Sequence, residues 1–121
     1  MKLKIFRIDN KGGPEDEAVW LEVLADCNLA GHLIADTTFD DTHRTNLVRH
    51  TYWFPDRPAK KGDRIVLYTK VGANGSGQST QGKPLHRLFW NLDQSVWNNE
   101  GDTATLIEIG ASAFFPVPAK V

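Results

Sequence analysis

An all-β fold, a sandwich of antiparallel strands, is predicted for this 121-residue chain by three observations. Short runs alternate apolar and polar side chains, as half-buried strands require. Gly, Pro, Asn and Asp punctuate them at intervals near the roughly 8 to 12 residues of a sandwich. The runs are rich in β-branched and aromatic residues. With 40% hydrophobic residues the chain suits one domain spanning 1–121, burying about two thirds of its unfolded surface.

The elements follow in order. Leu3, Lys4 and Ile5 open a first strand that Asn10, Gly12, Gly13 and Pro14 break. Val19, Leu21 and Val23 alternate with Trp20, Glu22 and Leu24 in a second; Glu, Leu and Ala would also suit a helix here, and the β-branched alternation decides for strand. A turn at 28–31 leads to a third strand at 33–39, and a fourth at 48–54 is stopped by Pro55 and Pro58. The clearest strand is 64–70, with Ile65, Leu67 and Thr69 on one face and Val66 and Tyr68 on the other. Residues 88–91 and 103–109 complete a set of about seven, the number an immunoglobulin-like sandwich uses, with seven to nine the expected range.

Between these elements, 71–84 holds four glycines and almost no apolar side chains, so burial cannot offset its ordering entropy. The segment 71–87 is expected to be a mobile loop; the functional alternative is a binding loop flanked by Lys70, Lys83, His86 and Arg87. It lacks the spacing of a phosphate-binding loop, since Pro84 follows Gly82 and Lys83.

The segment 95–106 joins a large apolar side chain, Trp97, to a tight turn of Asn98, Asn99, Gly101 and Asp102 and then to an alternating strand. It resembles the motif of the lamin tail domain, a small immunoglobulin-like module. Residues 28–36 resemble that family's turn and strand before its core, 52–55 its Tyr-x-Phe-Pro strand end, and 61–69 its Gly-Asp strand. The resemblance covers most of 3–109. It implies the sandwich fold and carries no common activity.

Charge is unevenly spread about a net of −1. Residues 1–42 carry four Lys/Arg against nine Asp/Glu, 43–87 nine against two, and 88–121 one against four. Interleaving on solvated sheet faces accounts for this pattern. The functional alternative is a cationic face for an acidic partner or nucleic acid, with Arg49, Arg57, Lys60, Lys61, Arg64, Lys83 and Arg87 as the candidate binding residues.

Chemistry-bearing groups are sparse. His32, His43, His50 and His86 lie in separate segments without metal-site spacing. Residues 40–43 (Asp-Asp-Thr-His) lack the alternation of a calcium loop and read as a solvated turn. Cys27, the single cysteine, excludes an internal disulfide and reads as a buried or half-buried thiol; Glu15, Asp16 and Glu17 read as a charged loop. No catalytic residue, metal or cofactor is expected.

Four tryptophans, Trp20, Trp53, Trp90 and Trp97, exceed what a core about 10 Å thick readily encloses, and the tail at 110–121 carries Phe114 and Phe115. The expected function is therefore a non-catalytic binding or assembly module acting through protein contacts, with homo-oligomer formation through the aromatic surface or the C-terminal tail. A nucleic-acid-binding module is the alternative, and a small hydrolase or accessory domain a weaker one. The early charges at Lys2 and Lys4 interrupt any signal sequence, and no run approaches the roughly 20 apolar residues of a spanning helix. A cytoplasmic, non-membrane location is expected.

Overall fold

The computed structural model describes residues 1–10, 13–39, 44–97 and 102–119. Among them the chain is almost entirely β, and the strands form a sandwich-like arrangement. In order they are β1 (Leu3–Asn10), β2 (Glu17–Val23), β3 (Cys27–Asn28), β4 (His32–Phe39), β5 (Arg44–Trp53), β6 (Pro58–Ala59), β7 (Arg64–Tyr68), β8 (Gly75–Gln78), β9 (Pro84–Phe89) and β10 (Asp102–Glu108). Two 3₁₀ turns, Pro14–Asp16 and Leu29–Gly31, interrupt them. In the second, the Asn28 Oδ1 accepts from the Ala30 N–H at 2.9 Å, closing the turn that its sequence suggests.

One sheet has the order β1-β2-β7-β9-β8, a second β10-β4-β5, and β3 pairs with β6. Period-two alternation sends Val19 and Leu21 of β2 to the same face as Leu67 and Ile65 of β7, their direct partners. These side chains meet Ile34 of β4, Phe54 and half-buried Leu106 of β10 in one core, which Trp97 closes. Each fully buried side chain of this size contributes about 1.5–3 kcal/mol. Trp97, Trp90, Tyr52 and Phe54 run through it as successive ring contacts with centroids 6.1, 5.7 and 5.2 Å apart.

Several expectations need correction. The sandwich is not wholly antiparallel, because β7 and β9 pair in parallel. The chain leaves β7, runs as β8 along the far side of the place β9 will take, and turns back through Gly82 (φ +77°), so β9 returns in the direction of β7. The segment 71–87, expected to be a loop, therefore contains β8 and most of β9. Backbone pairing supplies the order that its side chains do not announce. Glu17, expected in a charged loop, is fully buried: its Oε1 accepts from the Thr69 hydroxyl (2.9 Å) and from the backbone N–H groups of Val96 (2.8 Å) and Trp97 (3.4 Å). A carboxyl group thus holds the segment bearing Trp97 against the sheet.

Of the Trp97 turn, Asp102 opens β10 opposite Thr38, while Asn98, Asn99 and Gly101 lie outside the described residues, as do residues 40–43. Beyond β10 the tail has no regular structure as far as residue 119; Phe114, Phe115 and Val117 are 92%, 86% and 90% exposed, so it does not pack back on the sandwich. No helix among the described residues is long and apolar enough to cross a membrane.

Candidate functional site

The face of the five-stranded sheet turned away from the core carries the most distinctive surface. Registration across the sheet aligns three outward rows: Asp9, Ala18, Tyr68 and Phe89; Arg7, Trp20, Val66, Arg87 and Gly75; and Lys4, Glu22, Arg64, Leu85 and Gly77. Ala18, Val66 and Leu85 form a small apolar floor against which Trp20 and Tyr68 pack. A bulge between Ile5 and Arg7 adds Phe6, whose ring lies under the Arg64 guanidinium at 4.6 Å.

The result is a groove of about 890 Å³ lined by the rings of Phe6, Trp20, Tyr68 and Phe89 and by Arg7, Arg64, Lys70 and Arg87, with no carboxylate among its lining residues. Three of the cations, Arg7, Arg64 and Lys70, are placed by the rings. Arg7 lies 4.7 Å over Trp20 and Lys70 5.0 Å over Tyr68, which itself stacks on Phe89 at 5.1 Å. Each such contact is worth about 0.5–1 kcal/mol at exposed sites and restricts a long side chain before any ligand arrives. Asp9, on the rim, accepts from the Trp20 Nε1–H at 2.9 Å and pairs with Arg7 at 3.3 Å. Arg64, Lys70 and Arg87 form no ion pair among the described residues. Gly72 lines the groove, where a Cβ would run into the Phe89 ring, and a Cβ on Gly77 of β8 would lie 2.8 Å from the Arg87 guanidinium.

The seven basic residues singled out by sequence do not converge. Arg64 and Arg87 enter the groove. Arg49 is exposed on β5 in the other sheet, and Lys60 and Lys61 are exposed in the turn before β7, where their backbone N–H groups bond Asp63 and Asp26. Lys83 lies in the β8–β9 turn, its N–H bonded to the Ser79 hydroxyl. The Arg57 side chain is committed elsewhere, donating from Nε to His86 Nδ1 (2.9 Å) and from Nη2 to the Gly75 carbonyl (2.9 Å) and the Ser76 hydroxyl (2.6 Å). Sequence reasoning reached Lys70 as a flank of the 71–84 segment and Trp20 as one of the surplus tryptophans, and missed Phe6, Arg7, Tyr68 and Phe89. The available signal was the second, outward face of the alternation already visible at 64–70.

Two other clusters have definite chemistry. The His86 Nε2 donates to Asp63 Oδ2 at 2.9 Å while its Nδ1 accepts from Arg57, so both ring nitrogens are engaged and neither is placed to take a proton from a nucleophile. A smaller pocket of about 420 Å³ gathers Lys2, Cys27, His32 and Glu108. There burial pushes the Cys27 thiol above its ordinary range, the opposite of an activated nucleophile. The Lys2 backbone N–H holds the Glu108 carboxyl below its ordinary range, and Glu108 faces the buried His32 at 3.5 Å. No cluster of three or more His, Cys, Asp or Glu suited to a metal occurs among the described residues.

No family model, curated protein or solved structure matches this chain.

Proposed function

We propose that this chain is a non-catalytic, cytoplasmic binding module of the lamin-tail, immunoglobulin-like type, working through protein contacts, and that the groove on its five-stranded sheet receives an extended acidic segment of a partner. The observation carrying this reading is the groove's lining: four cations, four aromatic rings and no carboxylate. Cations already held on rings lose less freedom on meeting an anion, and guanidinium–carboxylate pairs can be bidentate. The exposed Phe114 and Phe115 supply a further contact segment, for a partner or for a second copy of the chain.

Calorimetric titration with a short peptide alternating Val and Glu tests the reading. Saturable binding is expected, lost when Arg64 and Lys70 are both replaced by Glu and absent for the matching Val-Lys peptide; equal affinity for the two peptides would refute it. A second reading, a single-stranded nucleic acid on the same face, is favoured by the pairing of cations with aromatic rings. Tighter, steeply salt-dependent binding of oligothymidylate than of the Val-Glu peptide would establish it instead.

A further inference from the structure

We infer that the acidic segment binds by adding a strand to the open edge of β8, where Arg87 reads one of its carboxylates; this rests on the groove being the ligand face. The two edges of the five-stranded sheet differ. The β1 edge carries Lys4 and Arg7 and is broken by the bulge at Phe6, features that deter edge pairing. β8, with the sequence Gly-Ser-Gly-Gln, has no charge and no proline, and no described strand pairs with its other side.

The two glycines hold the outward positions of β8, opposite Arg87 and Leu85. With no side chain in the way, the Arg87 guanidinium lies over Gly77, so a cation from β9 reaches across β8 toward the edge. From elsewhere in the fold, Arg57 clamps the Gly75 carbonyl and the Ser76 hydroxyl, and is itself held by His86. The edge is therefore braced as well as unguarded. An added strand presents alternate side chains to one face. Main-chain bonds to β8 supply general affinity, and a carboxylate on the groove side pairs with Arg87.

Amide hydrogen exchange by NMR on the wild-type chain, with and without the Val-Glu peptide, tests this directly. Exchange within residues 75–78 is expected to slow when the peptide binds. Arg87→Ala and Gly77→Ala should each weaken the peptide roughly tenfold, the loss of one charge-assisted pair. Gly75→Ala, whose Cβ meets nothing within 4 Å, should stay within about twofold. Binding that leaves the β8 amides unprotected, or equal effects of the two glycine substitutions, would overturn the strand-addition inference and leave the groove reading standing. No binding of the peptide by the wild type would overturn both. Protection of β8 by concentration-dependent dimerisation without peptide would make a second copy the occupant and also overturn the inference.

Discussion

Replacing Glu17 by Ala tests the contact that ties the Trp97 segment to the sheet. The Glu17 Oε1 accepts from the Val96 N–H at 2.8 Å, the Trp97 N–H at 3.4 Å and the Thr69 hydroxyl at 2.9 Å, all without access to water. Truncation leaves two buried N–H groups without that acceptor, each at about 1–3 kcal/mol, and opens a void beneath Trp97. The hydroxyl of Thr69 can rotate to another acceptor and adds little. The expected loss is about 3–5 kcal/mol, so at a urea m-value of about 2 kcal/mol/M the midpoint falls by roughly 2 M. Glu17→Gln keeps an acceptor oxygen in place and should cost about half as much or less. Equilibrium urea unfolding followed by tryptophan fluorescence measures both. A midpoint for Glu17→Ala within 0.5 M of wild type (about 1 kcal/mol at that m-value) would refute the anchoring role.

Excising 74–82 and closing the gap with a short turn removes β8, the Arg57 contacts and the return that lets β9 run parallel to β7; a loss on the order of 2 kcal/mol or more is expected in urea, from ladder bonds at about 0.5–1.5 kcal/mol each, whereas an unchanged midpoint would refute the structured role of the segment. In acid, Asp36 and Glu108 should act in opposite directions. Burial raises the Asp36 carboxyl, so the native state holds that proton more tightly and stability falls as pH rises from about 3.9 through its raised value; Asp36→Asn should therefore gain on wild type across that interval. The Lys2 N–H lowers Glu108, whose contribution is present above about 4.3 and is lost as pH falls through its lowered value; Glu108→Gln should lose its deficit there. Urea midpoints across the acid range measure both, and parallel pH profiles for the two variants would contradict the assignment.

Much of the fold was legible because it depends on local alternation. At 64–70 the sequence itself separates Ile65, Leu67 and Thr69 from Val66 and Tyr68, and the structure keeps that division. Trp97, Phe54, Ile34, Leu67 and Leu106, apolar residues of separate alternating runs, meet in one core. Local pattern could not say which apolar face would be covered, since Val66 and Tyr68 look as buriable as their neighbours. The second sheet decided that by covering the other side.

The rest depended on partners distant in sequence. β8 is a strand because β9 offers it a backbone ladder and Arg57 braces it from 18 residues away, neither of which a run of Gly, Ser and Gln announces. Glu17 looks like part of an acidic loop until Val96 and Trp97, 79 and 80 residues further on, bring their N–H groups to it. The groove unites residues of β1, β2, β7 and β9 that share no spacing motif. Alternation by itself determined that these segments were strands with two distinct faces. Tertiary registration alone decided which cations, rings and glycines became neighbours, because contacts across a sheet are set by pairing between strands and not by order along the chain.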